Sequence, residues 1–188
     1  ETNLNITNNQ FRLDFLNYQK KPETNLKIDI KGKKRFKENT FFEKIHFKEK
    51  KNNILISNLF LSNDNQIEKF SKINLDYVDK ENFKNKIKIE KKKDNYILNG
   101  DVLNLNKIIE DLLKSKKKNK KSIFNNFLKI NVNIKRSYLD KINEIKNLNG
   151  FFVLKNNAII DAKLESDFIN NKKIIFSIKS NDKERITT

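Results

Sequence analysis

The chain has 188 residues, enough for one large or two small domains, but only 36% of them are AVILMFWYC, which suits an elongated or open shape better than a tight globule. With no cysteine it can build neither a disulfide framework nor a thiolate metal site. Its net charge of +17 would ordinarily point to nucleic acid or an anionic membrane, yet only Arg12, Arg35, Arg136 and Arg185 of the 41 basic residues are arginine, the side chain that best grips phosphate and base edges.

Lysine, asparagine, isoleucine and phenylalanine abound together, while Gly, Pro, Trp and Met are rare or absent. AT-rich coding yields this pattern on tolerant surfaces, so we read most of the charge as solvated faces. No apolar run reaches the roughly 18 residues of a spanning helix, and no basic-then-apolar leader opens the sequence. The chain starts at Glu1 and stops soon after a strand-like run, so we expect an excerpt of a larger protein.

Apolar residues recur at every second position, the period of a strand with one oily face. In chain order they are Phe11, Leu13 and Phe15; Leu26, Ile28 and Ile30; Ile45 and Phe47; Ile73, Leu75 and Tyr77; Ile87 and Ile89; Tyr96 and Leu98. The period returns in Leu128, Ile130, Val132 and Ile134, in Ala158, Ile160, Ala162 and Leu164, and in Ile174, Phe176 and Ile178. Two stretches, Ile54 to Leu61 and Phe151 to Leu154, are apolar on both faces and predict cover on both sides.

Short polar links join these runs: Asn52-Asn53, Ser62 to Asn65, Asp79 to Asn82, Asn156-Asn157 and Asn170-Asn171. Asparagine tolerates the positive φ of tight hairpins, so antiparallel neighbours follow. The fold class expected is mainly β: a long curved antiparallel meander of about ten strands, an open β-groove or half-barrel, with one amphipathic α-helix packed on it.

Leu105, Ile108, Ile109, Leu112 and Leu113 carry that helix's stripe, with Asn104 or Asn106 to cap it. Around Tyr138 to Lys146 a helical turn and an irregular connection are both compatible with the spacing. Pro22 and Gly32 bracket one strand, and Gly100 and Gly150 fall near strand edges. Residues 1–188 are read as a single domain, with a soft boundary at the lysine-rich loop 114–121.

Chemistry is hard to find. His46 stands alone between Ile45 and Phe47 and points to the polar face, where we expect it exposed. Glu110 and Asp111 lie on the polar side of the helix, and three glycines write no phosphate loop. We expect no enzyme, catalytic residue, metal or cofactor. Phe41, Phe42, Phe47, Phe60, Phe151 and Phe152 among lysines could build a single-strand-binding sheet, but their alternation predicts rings facing the core, which disfavours nucleic acid. A purely structural β-scaffold remains a further reading.

From about Phe42 to Arg185 the order of features resembles the AsmA-like family of Gram-negative envelope proteins, the AsmA, YhdP and TamB group, in its C-terminal region. The stretch Tyr96 to Leu113 looks like that family's strand ending in a Gly-x-x-hydrophobic step before a helix that closes on paired leucines. Leu128 to Ile134 is similar to its next strand, Leu148 to Leu164 to the following hairpin, and Ile174 to Asp182 to the strand leading to another helix. Asn181 to Glu184 departs from the small residues usual there.

The resemblance implies a β-groove whose apolar floor shields phospholipid acyl chains during transport between inner and outer membranes. Its candidate floor is Ile87, Ile89, Tyr96, Leu98, Leu128, Ile130, Val132, Ile134, Ile160, Leu164, Ile174, Phe176 and Ile178. The implied partners are acyl chains and neighbouring domains of the same chain, with a membrane surface as a further one. The implied location is the periplasm or cell envelope, anchored to the inner membrane through a segment outside this stretch.

Overall fold

The computed structural model describes residues 1–34, 39–113, 127–155, 158–170, 172–180 and 185–187, with backbone only at 110–113, 185 and 187. The lysine-rich loop 114–121, Asn156-Asn157, Asn171 and Asn181 to Glu184 lie outside it, as do the side chains of Glu110, Asp111, Leu112 and Leu113.

Strands run in chain order as β1 (Thr2–Ile6), β2 (Arg12–Leu13), β3 (Tyr18–Gln19), β4 (Leu26–Lys34), β5 (Thr40–Glu49), β6 (Asn52–Leu61), β7 (Ile67–Lys69), β8 (Lys72–Val78), β9 (Lys84–Lys92) and β10 (Asn95–Asn104). Helix α1 (Asn106–Leu113) follows, then β11 (Leu128–Tyr138), β12 (Glu144–Lys155), β13 (Ala158–Phe168), β14 (Lys173–Ser180) and β15 (Arg185–Thr187). All but β2 and β3 join one thirteen-stranded sheet, with β1 and β15 at opposite ends of the path and β7 paired to β6. The sheet is open and curved.

The meander is antiparallel except at one junction. β10 and β11 are parallel, because the chain leaves β10 through α1 before returning alongside it, and a parallel neighbour needs such a crossover. The expectation of antiparallel neighbours throughout is therefore corrected to a mixed sheet.

Local chemistry explains most turns. Asn65 and Asn82 take positive φ in their hairpins, as the asparagine links predict. Asn52 and Asn53 instead begin β6, and the turn before it is made by Lys50 with φ 51°. Between Tyr138 and Glu144 no helical turn forms: the Asp140 carboxylate accepts the Ile142 and Asn143 N–H groups, and Ile142 is exposed. Phe15, expected on a strand, sits in a 3-10 turn spanning Asp14–Leu16 and is exposed.

Gly100 and Gly150 are interior to β10 and β12 rather than near strand edges. At Gly150, φ is +135° and an added Cβ would stand 2.0 Å from the Lys163 carbonyl oxygen, so the backbone there demands glycine.

Candidate functional site

Register places the apolar residues in rungs that cross the sheet. Ile30, Ile45, Ile56, Ile73, Ile89, Leu98, Val132, Gly150, Leu164 and Phe176 are successive cross-strand partners from β4 to β14. Two residues along, on the same face, runs Leu4, Ile28, Phe47, Ile54, Leu75, Ile87, Gly100, Ile134 and Leu148. Neither rung contains a charge.

The two differ in cover. In the second, Ile28, Ile54, Leu75, Ile87, Ile134 and Leu148 are buried; in the first, only Leu98 and Val132 are, and the other side chains are half-buried. Part of the cover is the segment between β1 and β4. Phe11 stacks on Phe47 with centroids 5.7 Å apart, and Tyr18 meets Tyr77 edge-on at 6.0 Å.

That segment is fastened by a buried carboxylate. Glu49 accepts from the Tyr18 hydroxyl at 2.7 Å, the Lys21 N–H at 3.0 Å, the Asn52 amide at 3.0 Å and the Thr24 hydroxyl. Burial pushes Glu49 up, but hydrogen bonds from Thr24, Tyr18, Asn52 and Lys21 outweigh it and hold the carboxyl below its ordinary range. Burial, reinforced by Glu49, pushes the Tyr18 phenol well above its usual value. Lys20, 1% exposed, donates to the carbonyls of Thr7, Lys21 and Pro22.

The opposite end of the face is closed by Phe70, which is buried, stacks on Tyr96 at 4.4 Å and exchanges two backbone hydrogen bonds with its hydroxyl, both 3.3 Å. At the helix start, Asp79 accepts from the amides of Asn85 and Asn104, and Asn104 accepts the Asn106 N–H at 3.1 Å. Asn104, one residue before the N-cap Leu105, thus satisfies the first helical N–H, while the Leu105 carbonyl accepts the first intrahelical bond from Ile109. Leu105 packs against the core while Ile108 is 43% exposed, so the stripe docks only in part.

Of the expected floor, Ile87, Ile89, Leu98, Val132, Ile134, Leu164 and Phe176 lie on the two rungs. Tyr96, Ile130 and Ile178 lie on a third, with Phe152 and Ala162. Leu128 pairs with Leu154, and Ile174 with Ser166. Ile160 falls at a register shift between β12 and β13 and has no direct partner on β12. Ile87, Tyr96, Leu98, Leu128, Ile130, Val132, Ile134 and Ile178 are buried, so they are core in this structure rather than open floor.

The runs expected to be covered on both faces are not. Leu55, Ile56, Phe60 and Leu61, and Phe151 to Leu154, are only half-buried. Asn58, with φ 50°, shifts the alternation, so Leu59 and Phe42 enter the core while Phe41 and Phe60 stack at 4.5 Å with Lys69 over Phe60.

The polar face carries several ion pairs. Asp101 bridges Lys86 and Lys135, each at 2.8 Å, which lowers its carboxyl to about 2. His46 lies on this face, opposite Asp29 and Leu55, but it is buried rather than exposed. Its Nε2 sits 2.7 Å from the Asn53 side-chain oxygen, and Nδ1 has no protein partner. Phe151, expected to face the core, is also on the polar side beneath Lys129.

A polar cavity of about 280 Å³ opens beside the covering segment, lined by Arg12, Asp14, Asn17, Tyr18, Gln19, Lys80 and Lys107. Among the described residues no cluster of three His, Asp or Glu could hold a metal, and no helix is long and apolar enough to cross a membrane. Comparison with protein-family models, with curated proteins and with solved structures finds no match.

Proposed function

We propose that the chain is a non-enzymatic, lipid-handling segment of the AsmA-like kind, acting in the cell envelope, where its apolar face shields phospholipid acyl chains passing between the two membranes. The observation that carries this reading is the uncharged rung from Ile30 to Phe176, whose side chains are half-buried except at Leu98 and Val132, which are buried. Its uninterrupted half-buried stretch, Ile30 to Ile89, crosses four inter-strand steps of about 4.8 Å, an apolar path of about 19 Å. One leaflet's hydrocarbon spans only about 15 Å. An acyl chain laid on such a path keeps roughly 0.8 kcal/mol per methylene that water would take away.

Native mass spectrometry and lipid extraction of the purified chain test it. Phospholipid should co-purify, and Ile89→Asp, in the middle of the rung, should reduce it at least about tenfold, as a buried unpaired charge opposes acyl contact. Phe151→Ser, on the polar face, should leave it unchanged. A lipid-free protein, or equal lipid in Ile89→Asp, defeats the proposal.

A second reading, single-strand binding, draws on Phe41, Phe60 and Phe151 among lysines of the polar face. Five inter-strand steps separate β6 from β12, roughly 24 Å, so these rings form no continuous stacking platform. Absence of RNA and DNA binding at low salt would end it.

A further inference from the structure

The polar cavity beside the covering segment is walled by separate parts of the chain: the β2–β3 pair, the turn after β8 and the first turn of α1. Each part brings one cation, Arg12, Lys80 and Lys107 in turn, against one carboxylate in the lining, Asp14. Arg12 is one of only four arginines among 41 basic residues. Among the described residues, the side chains of Arg12 and Lys80 have no hydrogen-bond or ion-pair partner. Unpaired like charges gathered around one concavity repel each other and focus a positive potential into it.

The walls are held without those two side chains. The Lys80 N–H donates to the Asn17 carbonyl at 2.9 Å, and the Tyr77 hydroxyl donates to the Leu16 carbonyl at 2.8 Å. Glu81 accepts from the Asn17 amide at 3.2 Å and from the Asn106 amide at 3.4 Å, which ties the covering segment to the helix start. The cations therefore meet around a preformed cavity, and a ligand entering it need not order the backbone first.

We propose that this cavity binds a phosphoryl group, clamped by the Arg12 guanidinium and neutralised by Lys80, with Lys107 as a further cation on the wall. The planar guanidinium fork matches two phosphate oxygens, and an ammonium serves a third as a point charge. A phosphate monoester carries about two negative charges at neutral pH, which balances three cations opposed by one carboxylate. A carboxylate ligand, with one charge and two oxygens, would occupy the fork and leave Lys80 unpaired. The phosphoryl group belongs either to a soluble ester or to a phospholipid head, and only the second source rests on the lipid reading. Tyr18 lines the cavity and also belongs to the core, so the site adjoins the covered end of the apolar face.

NMR titration of the whole isotope-labelled chain tests the site, using inorganic phosphate, glycerol 3-phosphate and monomeric dihexanoyl phosphatidic acid in about 0.1 M chloride. Shifts should saturate and centre on residues 12–19, Lys80 and Lys107, with a dissociation constant on the order of 1 mM, as expected of two or three charge-assisted contacts. Arg12→Gln should weaken binding at least about tenfold, and Arg12→Lys, which keeps the charge and loses the fork, about threefold. Asp14→Asn should tighten it about threefold by removing the opposing charge. Lys80→Gln should weaken it about fivefold and carries the test if Arg12→Gln disturbs the segment, since the Lys80 backbone bond does not use the side chain. Lys93→Gln loses the same charge roughly 30 Å along β9 from Lys80 and should stay within about twofold. Phosphatidic acid at least about tenfold tighter than glycerol 3-phosphate identifies the headgroup as the source, and equal affinities identify a soluble ester. Shifts that never saturate, or that weaken equally in Arg12→Gln and Lys93→Gln, overturn the site. Co-purified phospholipid without phosphate binding removes the site and spares the lipid reading, while phosphate binding by a lipid-free chain does the reverse.

Discussion

Removing the Glu49 carboxylate should release the covering segment from the apolar face. Glu49 is 2% exposed and has four donors around it, two of them on the buried residues Tyr18 and Thr24. Thr24 can redirect its one proton to the Lys21 carbonyl at 2.8 Å, whereas Glu49 is the acceptor that the Tyr18 hydroxyl and the Lys21 N–H use. Two stranded donors at about 1–3 kcal/mol each, plus the lost charge-assisted bonds, put Glu49→Ala at about 3–5 kcal/mol. Glu49→Gln keeps one acceptor oxygen and turns the other into a donor, so about 1.5–3 kcal/mol is expected.

The loss should be local before it is global. Lys20 is shielded in the folded segment, so trypsin cleavage after it reports the segment's opening. The bond after Lys21 precedes Pro22 and resists the enzyme. In Glu49→Ala, cleavage after Lys20 should accelerate at least about 100-fold, the population shift that roughly 3 kcal/mol implies. If cleavage is unchanged, the carboxylate does not hold the segment and the reasoning fails.

The same group sets a pH dependence. Its folded carboxyl lies below the ordinary 4.5, so the folded state favours the ionised form. Its contribution is then complete above about 4.5 and is lost as pH falls through the folded value, when protonation removes the acceptor from its donors. The stability difference between the native chain and Glu49→Gln, followed by urea unfolding, should stay flat from neutral pH to about 5 and shrink below. A difference that grows on acidification would reverse the sign of this argument.

Gly150→Ala forces a Cβ toward the Lys163 carbonyl at a positive φ, so a loss of about 2–4 kcal/mol in urea unfolding is expected, whereas Asn147→Gly, also at positive φ, should be neutral or better. Ile134→Ala empties a fully buried place on the inner rung and should cost about 3–4 kcal/mol; Ile89→Ala, half-buried, should cost no more than about half that. Tyr96→Phe removes the hydroxyl that Phe70 both donates to and accepts from, and should cost about 1–2 kcal/mol with faster amide exchange at Phe70.

Alternation made the strands legible, since Leu128, Ile130, Val132 and Ile134 are all buried and Lys129 and Asn133 are not. It failed wherever something other than period two decided the outcome. Phe11 to Phe15 alternate, yet a 3-10 turn interrupts them because that segment covers the sheet instead of joining it. Asn58, by reversing its φ, put Phe41 and Phe60 on the face where strict alternation from Ile54 would not place them. His46 was placed on the correct face but with the wrong exposure, because burial in a wide sheet depends on neighbours from other strands. The parallel junction left a sign, the helix between β10 and β11, whose crossover logic points to parallel pairing. Glu49 left none: a single carboxylate among lysines looks like surface until Tyr18, Thr24 and Lys21 converge on it from outside its own strand.

The rungs separate two kinds of residue that composition alone would lump together. The rung through Ile54, Leu75 and Ile134 is closed by the chain itself, so its side chains specify the fold and substitutions there register as lost stability. The rung through Ile45, Ile73 and Ile89 is equally apolar and in the same register, but it retains accessible surface. Leaving apolar surface accessible is unfavourable by about 25 cal/mol per Å², and here it runs from Ile30 to Ile89 and returns at Leu164 and Phe176. In a chain otherwise wrapped in lysine and asparagine, the uncharged run is where an apolar partner gains most. Separating cargo from core therefore requires substitutions on both rungs, with lipid content and unfolding free energy measured on the same variants: a residue that changes the first and spares the second belongs to the trough.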